Sequence, residues 1–235
     1  MVVNCRERYQ YRYRPGVDQS VCRIIYGNDV GIFSQSIDGS GETVQLIKSQ
    51  NHGSADWSIN GEYLAYYKAK NGNNRDLWYL PKDQSNPMSF LQTLFQEALP
   101  TLSPDGRYVA YQSSKSGTYE IYVKPFPVGK GEWTISDNGG RHPLWSRQGD
   151  EIFYIEKNTM MAVPVTIKQT FSREHPQKLF SGEPVGSLFM DDGDFRPHYD
   201  VSADGQRLVV VQNATVETSK RTVVQNWFRE FEERN

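Results

Sequence analysis

A short motif, Ser-x-x-Gly, recurs along the chain, and each copy is followed by an apolar run. The copies begin at Ser58, Ser103, Ser146 and Ser202. In SPDG, the clearest copy, serine suits the first position of a type I turn, proline presets φ at the second and glycine suits the fourth. The run YVAY that follows has no polar face, so it predicts a strand covered on both sides. Each copy therefore predicts a tight hairpin between buried strands.

The copies recur at intervals of about 45 residues, with a longer last interval. After each of three hairpins a further apolar run ends in proline, at Pro81, Pro125 and Pro164. Proline cannot donate a ladder hydrogen bond, so it marks the end of a third strand or a sheet edge. A fourth strand is predicted next, at residues 88–93, 132–136 and 176–180. Four short strands in a repeat of this length are typical of a β-propeller blade.

Both ends of the chain carry imperfect copies of this unit. Near the N-terminus the tripeptide RPG stands where the turn is expected, and strands are predicted at residues 22–26, 32–36 and 43–47. At the other end a strand is predicted at 222–227, and the apolar spacing up to Phe231 predicts a short helix. The last unit lacks a fourth strand, which residues 2–6 could supply by closing the ring.

We therefore predict an all-β chain: one β-propeller domain over residues 1–235, with about five four-stranded blades and a short C-terminal helix. The predicted blades are residues 9–50, 51–95, 96–138, 139–195 and 196–235. A closed five-bladed ring and an arc of a larger propeller both remain open. A closed ring is expected to be a monomer, whereas an arc would expose apolar blade faces and is expected to form homo-oligomers.

The amino-acid composition limits which kinds of partner the chain is expected to bind and where it is expected to be located. Apolar residues make up only 37% of the chain, but 14 Tyr, 11 Phe and 5 Trp are too many aromatic residues for a disordered protein. The net charge of −2 provides no basic field for nucleic acid. No apolar run is long enough to span a membrane, and the N-terminus lacks the apolar core of a signal peptide. As it stands the chain is expected to be cytoplasmic, or periplasmic or extracellular if it was excised from a larger protein.

Neither the two cysteines nor any familiar catalytic motif indicates a particular chemistry. The two cysteines, Cys5 and Cys22, are expected to be free thiols, with a disulfide between them as the alternative. The sequence contains no G-x-S-x-G elbow, no H-E-x-x-H and no P-loop. We therefore expect no cofactor and no resident metal.

The repeats resemble a known family. LSPDGRYVAY followed by IYVKP is similar to the TolB-type propeller repeat of bacteria, and the resemblance covers roughly residues 10–228. The segments LSPDGRYVAYQSSKSGTYEIYVKPFP, YDVSADGQRLVVV and VVQNWFREF resemble the propeller that follows the kinase domain in many bacterial serine/threonine protein kinases. No Gly-rich loop, HRD loop or DFG is present, so the kinase itself is not part of the resemblance. The resemblance implies a protein-interaction or ligand-sensing module that is not an enzyme.

Residues just before the predicted innermost strands point toward one mouth of the central channel. This is where propellers usually bind partners, so these residues are our candidate ligand-binding site for a protein, a peptide or a small ligand. They are His52, Glu97, Arg141, His142, Arg196 and His198. The alternative for each is a solvated loop residue. A zinc site built from the three histidines is disfavoured because they come from different repeats without short ligand spacing.

Carboxylates offer a second hypothesis. Asp56 and Asp200 lie on predicted innermost strands, and some propeller hydrolases, such as glycosidases, carry acids near the axis. A glycosidase or lactonase-like enzyme would require Asp56, Asp200 and Glu97 to converge in one pocket. The insertion at 181–195 holds Asp191, Asp192 and Asp194, which we expect to form a flexible acidic loop, with Ca²⁺ binding as the alternative.

Overall fold

The computed structural model describes residues 12–14, 23–28, 30–36, 42–70, 74–182, 199–202, 205, 207–211 and 221–225. This part of the chain contains β-strands, turns and loops, and no α-helix. The predicted C-terminal helix and the predicted closing strand at residues 2–6 lie outside the described residues. The same holds for Cys5, Cys22 and the acidic loop at 191–194.

The strands follow one another in chain order. They are β1 (Arg12–Arg14), β2 (Arg23–Asn28), β3 (Gly31–Ser36), β4 (Val44–Lys48), β5 (His52–Trp57), β6 (Tyr63–Ala69), β7 (Arg75–Pro81), β8 (Met88–Leu91), β9 (Glu97–Leu102), β10 (Tyr108–Ser113), β11 (Glu120–Pro125), β12 (Trp133–Thr134), β13 (Arg141–Trp145), β14 (Glu151–Glu156), β15 (Thr159–Ile167), β16 (Phe171–Arg173), β17 (Gln177–Ser181), β18 (Tyr199–Val201), β19 (Arg207–Val211) and β20 (Arg221–Gln225).

These strands form antiparallel sheets in which sequence neighbours pair. The sheets are β1–β4, β5–β8, β9–β12, β13–β17 and β18–β20, called sheets 1 to 5 below. The predicted third and fourth strands of the middle repeats are all present. One strand was not predicted: β16 pairs with the far end of β15, Val165–Ile167, while β17 pairs with its beginning. The length of β15 therefore allows two partners on one edge.

The Ser-x-x-Gly turns have the predicted geometry. In each turn the glycine N–H donates to the serine carbonyl, at 2.9, 2.8, 3.2 and 2.9 Å in chain order. The serine hydroxyl also accepts the backbone N–H of the residue five positions later, as Ser103 does from Tyr108 at 3.0 Å. All four glycines have positive φ, between 72° and 77°, which an L side chain adopts only with strain. The turn residues are thus selected by backbone conformation.

The core lies between consecutive sheets, and the second strand of a sheet contributes to both sides. Val109 and Tyr111 of β10 pack with sheet 2, whereas Tyr108 and Ala110 pack with sheet 4. Because side chains alternate across a strand, a strand covered on both faces buries every position, and the run at residues 108–111 is accordingly apolar on both faces. The prediction of doubly covered strands is confirmed. The same alternation in β14 joins sheet 4 to sheets 3 and 5.

The first strands of sheets 2 to 5 are linked directly by hydrogen bonds. The donor and acceptor pairs are Leu102 N to Asp56 Oδ2 (2.7 Å), Trp145 Nε1 to Thr101 O (3.0 Å) and Tyr199 Oη to His142 O (2.7 Å). Two of these strands are also irregular, since Leu99 and His142 have φ of 53° and 56°. The pairing register with the second strand shifts at both places. The first strands are therefore locked to one another, and β5, β9 and β13 each have a register shift against the second strand.

Candidate functional site at the strand-start face

The first strands of sheets 2, 3 and 4 begin at the same end of the molecule. At the opposite end their Ser-x-x-Gly turns lie side by side, because a Cβ built on Gly149 would lie 3.4 Å from Pro104 Cδ and one on Gly106 would lie 3.9 Å from Asn60 Nδ2. We call the end where β5, β9 and β13 begin the strand-start face. The turns before β7 and β11 and the loop before β9 also lie at this end, because strands alternate in direction.

Four side chains from three sheets form a continuous network at this face. Arg75 Nη1 and Tyr119 Oη both donate to Gln96 Oε1, at 2.8 and 2.5 Å. The Arg141 guanidinium lies over the Tyr119 ring, 4.4 Å from its centroid, and Arg75 lies 5.8 Å from the Tyr67 centroid. We call Arg75, Gln96, Tyr119 and Arg141 the rim network. It fixes the positions of two guanidinium groups, an amide and a phenol, all at least partly exposed.

Burial and three nearby charges change the pKa of the Tyr119 hydroxyl. Burial raises the pKa of the Tyr119 hydroxyl, the charges of Arg75 and Arg141 lower it, and the charge of Glu97 raises it again. The two arginines that lower the pKa are the ones that contact the phenol, Arg141 over the ring and Arg75 through the shared Gln96 oxygen. The pKa of Tyr119 is raised overall, and its hydroxyl is the donor to Gln96 Oε1.

Glu97 lies beneath the rim network, with 1% of its surface exposed. Its Oε1 accepts hydrogen bonds from Thr93 Oγ1 at 2.6 Å and Ser113 Oγ at 3.3 Å. Burial raises the pKa of the Glu97 carboxyl, and the charge of Asp76 adds to this, while the two hydrogen bonds and the charge of Lys115 oppose it. Glu97 was predicted to line the channel mouth, and the structure places its carboxyl below the surface, where it joins the loop before β9 to the end of β10.

Two more buried carboxylates support the same face. Asp76 is fully buried and pairs with Lys70 Nζ at 2.5 Å, and Gln92 Nε2 lies 3.4 Å from it. Glu120 accepts from the Ser136 hydroxyl and from Gly139 N, the latter at 2.8 Å. Each carboxylate begins, or nearly begins, a third strand and holds the adjoining loop. Their roles are therefore structural supports of the face.

The other predicted site residues have different environments. His52 is half-buried at the start of β5, where it pairs with Lys68. Arg141 belongs to the rim network. His142 is 4% exposed. Its backbone N–H donates to Gln112 Oε1 at 3.1 Å, and its backbone carbonyl accepts a hydrogen bond from the Tyr199 hydroxyl. The remaining two predicted residues, Arg196 and His198, lie outside the described residues.

The three carboxylates that a hydrolase site would require, Asp56, Glu97 and Asp200, are not grouped in one pocket. Asp56 is 1% exposed and binds Leu102 N at one end of β9, whereas Glu97 is at the other end of that strand. Because β9 is bulged, its two ends pair with Val109 and Ser113 of β10, which at roughly 3.3 Å per residue are about 13 Å apart. Asp200 is exposed in sheet 5, and its Oδ1 accepts from Val201 N at 2.8 Å. Paired catalytic carboxylates in glycosidases stand about 5–9.5 Å apart.

The sequence analysis missed Arg75, Gln96 and Tyr119. A signal was present, because aligning the third strands places RDLW beside YEIY, with Arg75 opposite Tyr119 and Asp76 opposite Glu120. The repeat register thus marks both positions as equivalent corners of neighbouring units. Within the described ranges no three His, Cys, Asp or Glu side chains are grouped as metal ligands would be. That part of the chain also has no helix that is long and apolar enough to cross a membrane.

Comparison with solved structures identifies the fold. TolB from Acinetobacter baumannii superposes with a TM-score of 0.66 at 15% identity, over 88% of this chain and 50% of that one. The putative TolB from Agrobacterium tumefaciens gives 0.63 at 15% identity, over 94% and 78%. Oligogalacturonate lyase from Vibrio parahaemolyticus gives 0.58 at 11% identity, over 87% and 60%. The chain therefore has a TolB-like β-propeller fold.

Because the sequence identities are low, the similarity to these structures shows the fold and nothing more. The chain spans half the length of the Acinetobacter TolB chain and 60% of that of the lyase. No family model matches the sequence, and no curated protein matches it. The similar structures include an enzyme as well as the TolB proteins.

Proposed function

We propose that this chain is a non-catalytic propeller module that binds a protein, a peptide or a small ligand at the strand-start face. The observation that carries this proposal is the rim network, in which side chains of three sheets hold one another in fixed positions at the surface. Affinity at such a site comes from side chains that are ordered before the ligand arrives, so little conformational entropy is lost on binding.

The proposed architecture is one domain of about five blades, corresponding to sheets 1 to 5. The resemblance to kinase-associated propellers makes a sensing or docking role in a larger polypeptide part of this proposal. A closed ring would be a monomer of 27.0 kDa, whereas an arc would self-associate through its end blades. Light scattering over a range of concentrations distinguishes these two forms.

The second candidate is a propeller hydrolase or lyase with carboxylates at the axis. Its support is the similarity to the oligogalacturonate lyase structure. The separate positions of Asp56, Glu97 and Asp200 favour the binding module, because acid and base catalysis on one bond requires neighbouring groups. Turnover of glycosides, polyuronates or lactones that is abolished in Asp56→Asn or Glu97→Gln, with folding intact, would favour the enzyme instead.

The proposed binding site is tested by a ligand screen followed by localisation. A panel of peptides and small ligands is screened by NMR, and any hit is measured again on Gln96→Ala and Tyr119→Phe. Asp83→Ala, at an exposed position in the turn after β7, serves as control. We expect the rim variants to weaken binding and the control to leave it unchanged. A hit that binds all variants equally, or only at the Ser-x-x-Gly turns, contradicts the proposal.

A further inference from the structure

Two exposed apolar side chains stand beside the rim network. Leu94 and Phe95, in the loop between β8 and β9, are 87% and 44% exposed. They directly precede Gln96, the centre of the rim network. Leu94 is the most exposed large apolar side chain among the described residues. We call this pair the Leu94–Phe95 tip.

The backbone of the tip is held on both sides. Phe95 N donates to Thr93 Oγ1 at 3.0 Å, and the Thr93 hydroxyl donates in turn to the buried Glu97. On the other side Gln96 N donates to Ser114 Oγ at 3.1 Å, and Ser114 N donates to Gln96 O at 3.2 Å. Two apolar side chains are thus presented to solvent by a loop that is tied to sheet 3. Exposed apolar groups on an ordered backbone are typical of interaction sites.

The cationic and acidic side chains near the tip differ in how deeply they are buried. The two arginines of the rim network, Arg75 and Arg141, are half-buried, whereas Lys70 and Lys115 are ion-paired with Asp76 and Glu132. Three carboxylates beneath the rim network, Asp76, Glu97 and Glu120, are 0%, 1% and 9% exposed. Opposite charges at different depths leave the outer surface with the sign of the exposed group. The two guanidinium groups of the rim network therefore place positive charge beside the tip.

We propose that the Leu94–Phe95 tip and the rim network bind an acidic segment of a partner protein that carries a large apolar side chain. The apolar side chain packs on Leu94 and Phe95, and the acidic residues beside it face Arg75 and Arg141. This inference rests on the proposed binding function and names its partner class. Arginine and aromatic residues around an apolar contact are the composition of interface hot spots.

The amide of Gln96 adds a directional contact. Its Oε1 already accepts two hydrogen bonds, from Arg75 and Tyr119, which fixes the amide so that Nε2 is the group that donates to a partner. Gln96 is half-buried at the edge of the tip. A backbone carbonyl or carboxylate of the bound segment is the matching acceptor. The site thus combines one apolar contact, one amide donor and two cations.

The experiment uses three capped hexapeptides that share a central Phe-Leu pair. The pair is flanked by Asp and Glu in the first peptide, by Lys and Arg in the second, and by Ser and Gly in the third. Binding to the full chain is followed by ¹⁵N NMR titration at low and high salt. The protein variants are Leu94→Ser and Phe95→Ser, with Val128→Ser as a matched control. Val128 is 80% exposed but lies in the loop after β11, at the opposite end.

We expect the acidic peptide to bind most tightly, with an affinity that falls as salt is added. Each tip variant is expected to weaken it about tenfold, whereas Val128→Ser has no effect. Equal binding of the three peptides at the tip overturns the acidic partner but leaves the proposed function. Binding that maps elsewhere on the strand-start face, or no binding of any peptide, overturns this inference. The proposed function is judged separately, by whether the wider ligand screen finds a hit at that face that the rim variants weaken.

Discussion

The carboxylate of Asp56 accepts a hydrogen bond from the backbone N–H of Leu102, at 2.7 Å between strands of different sheets. The donor lies 46 residues later in the chain, so the bond joins one repeat to the next. Asp56 is 1% exposed, and Leu102 is buried as well. A side-chain acceptor in this position satisfies a buried backbone donor at a strand end. A residue proposed as a catalytic acid therefore has a structural role between repeats.

Replacing Asp56 tests this role. Asp56→Ala leaves the Leu102 N–H buried without this acceptor, so we expect a loss of about 2 kcal/mol in the free energy of unfolding. Asp56→Asn keeps a side-chain oxygen and is expected to lose less. Urea denaturation provides the measurement, and Asp83→Ala at an exposed position is the control. If Asp56→Ala were as stable as that control, the bond would contribute nothing to stability.

A second prediction concerns Ser103, the serine of the SPDG turn. Its hydroxyl accepts from Tyr108 N at 3.0 Å and donates to Asp105 Oδ1 at 2.7 Å, and the residue is fully buried. Ser103→Ala removes both bonds at once. We expect a loss of about 1–2 kcal/mol in thermal or chemical unfolding. Ser116→Ala, at an exposed turn, is expected to change stability little, and equal losses in the two variants would contradict this interpretation.

The fold was predictable because backbone conformation selects residues locally. Ser103 and Gly106 are required by the turn, and the apolar run from Tyr108 is required by a strand covered on both faces. These constraints recur in each repeat, so they are visible in a single sequence. The same reasoning predicted the strand positions but not the bulges at Leu99 and His142. Both precede proline, which normally disfavours the helical regions, so the sequence favours an extended conformation there.

The candidate site was less predictable because it depends on contacts between repeats. Arg141 lies at the strand-start face, whereas His142, next to it, is buried because the bulge reorients the chain. Glu97 likewise starts a first strand and yet braces Thr93 and Ser113 from below. The direction of a side chain at a strand end depends on register, and a shift of one residue reverses it.

Lys157 provides a prediction of increased stability. This residue, in the exposed turn between β14 and β15, has φ of 52°, a conformation that costs an L residue about 1 kcal/mol. Lys157→Gly removes that strain but increases the freedom of the unfolded chain, so we expect a net gain of at most about 0.5–1 kcal/mol. The same change at Lys168, which does not have positive φ, is expected to destabilise. A loss of stability in Lys157→Gly would contradict the prediction.

The buried carboxyl of Glu97 predicts a dependence of stability on pH. Burial raises its pKa in the folded protein above the ordinary glutamate value. Between the ordinary and the raised pKa the folded state holds more protons than the unfolded state, so the contribution of Glu97 to stability falls as pH rises through that window. Above the window the full cost of burying the charge is present. The contribution recovers as pH falls toward the ordinary glutamate value.

Glu97→Gln removes this charge but keeps an oxygen that can accept from Thr93 and Ser113. Relative to the wild type, the variant is therefore expected to gain stability as pH rises, because only the wild type buries a carboxylate there. Denaturant unfolding of both proteins from about pH 4 to pH 8 measures the difference, and Glu62→Gln, at an exposed position, shows what the substitution does without burial. A difference between Glu97→Gln and wild type that stays constant across this range would mean that Glu97 does not titrate differently on folding. In that case its carboxyl would support the loop before β9 without any pH dependence.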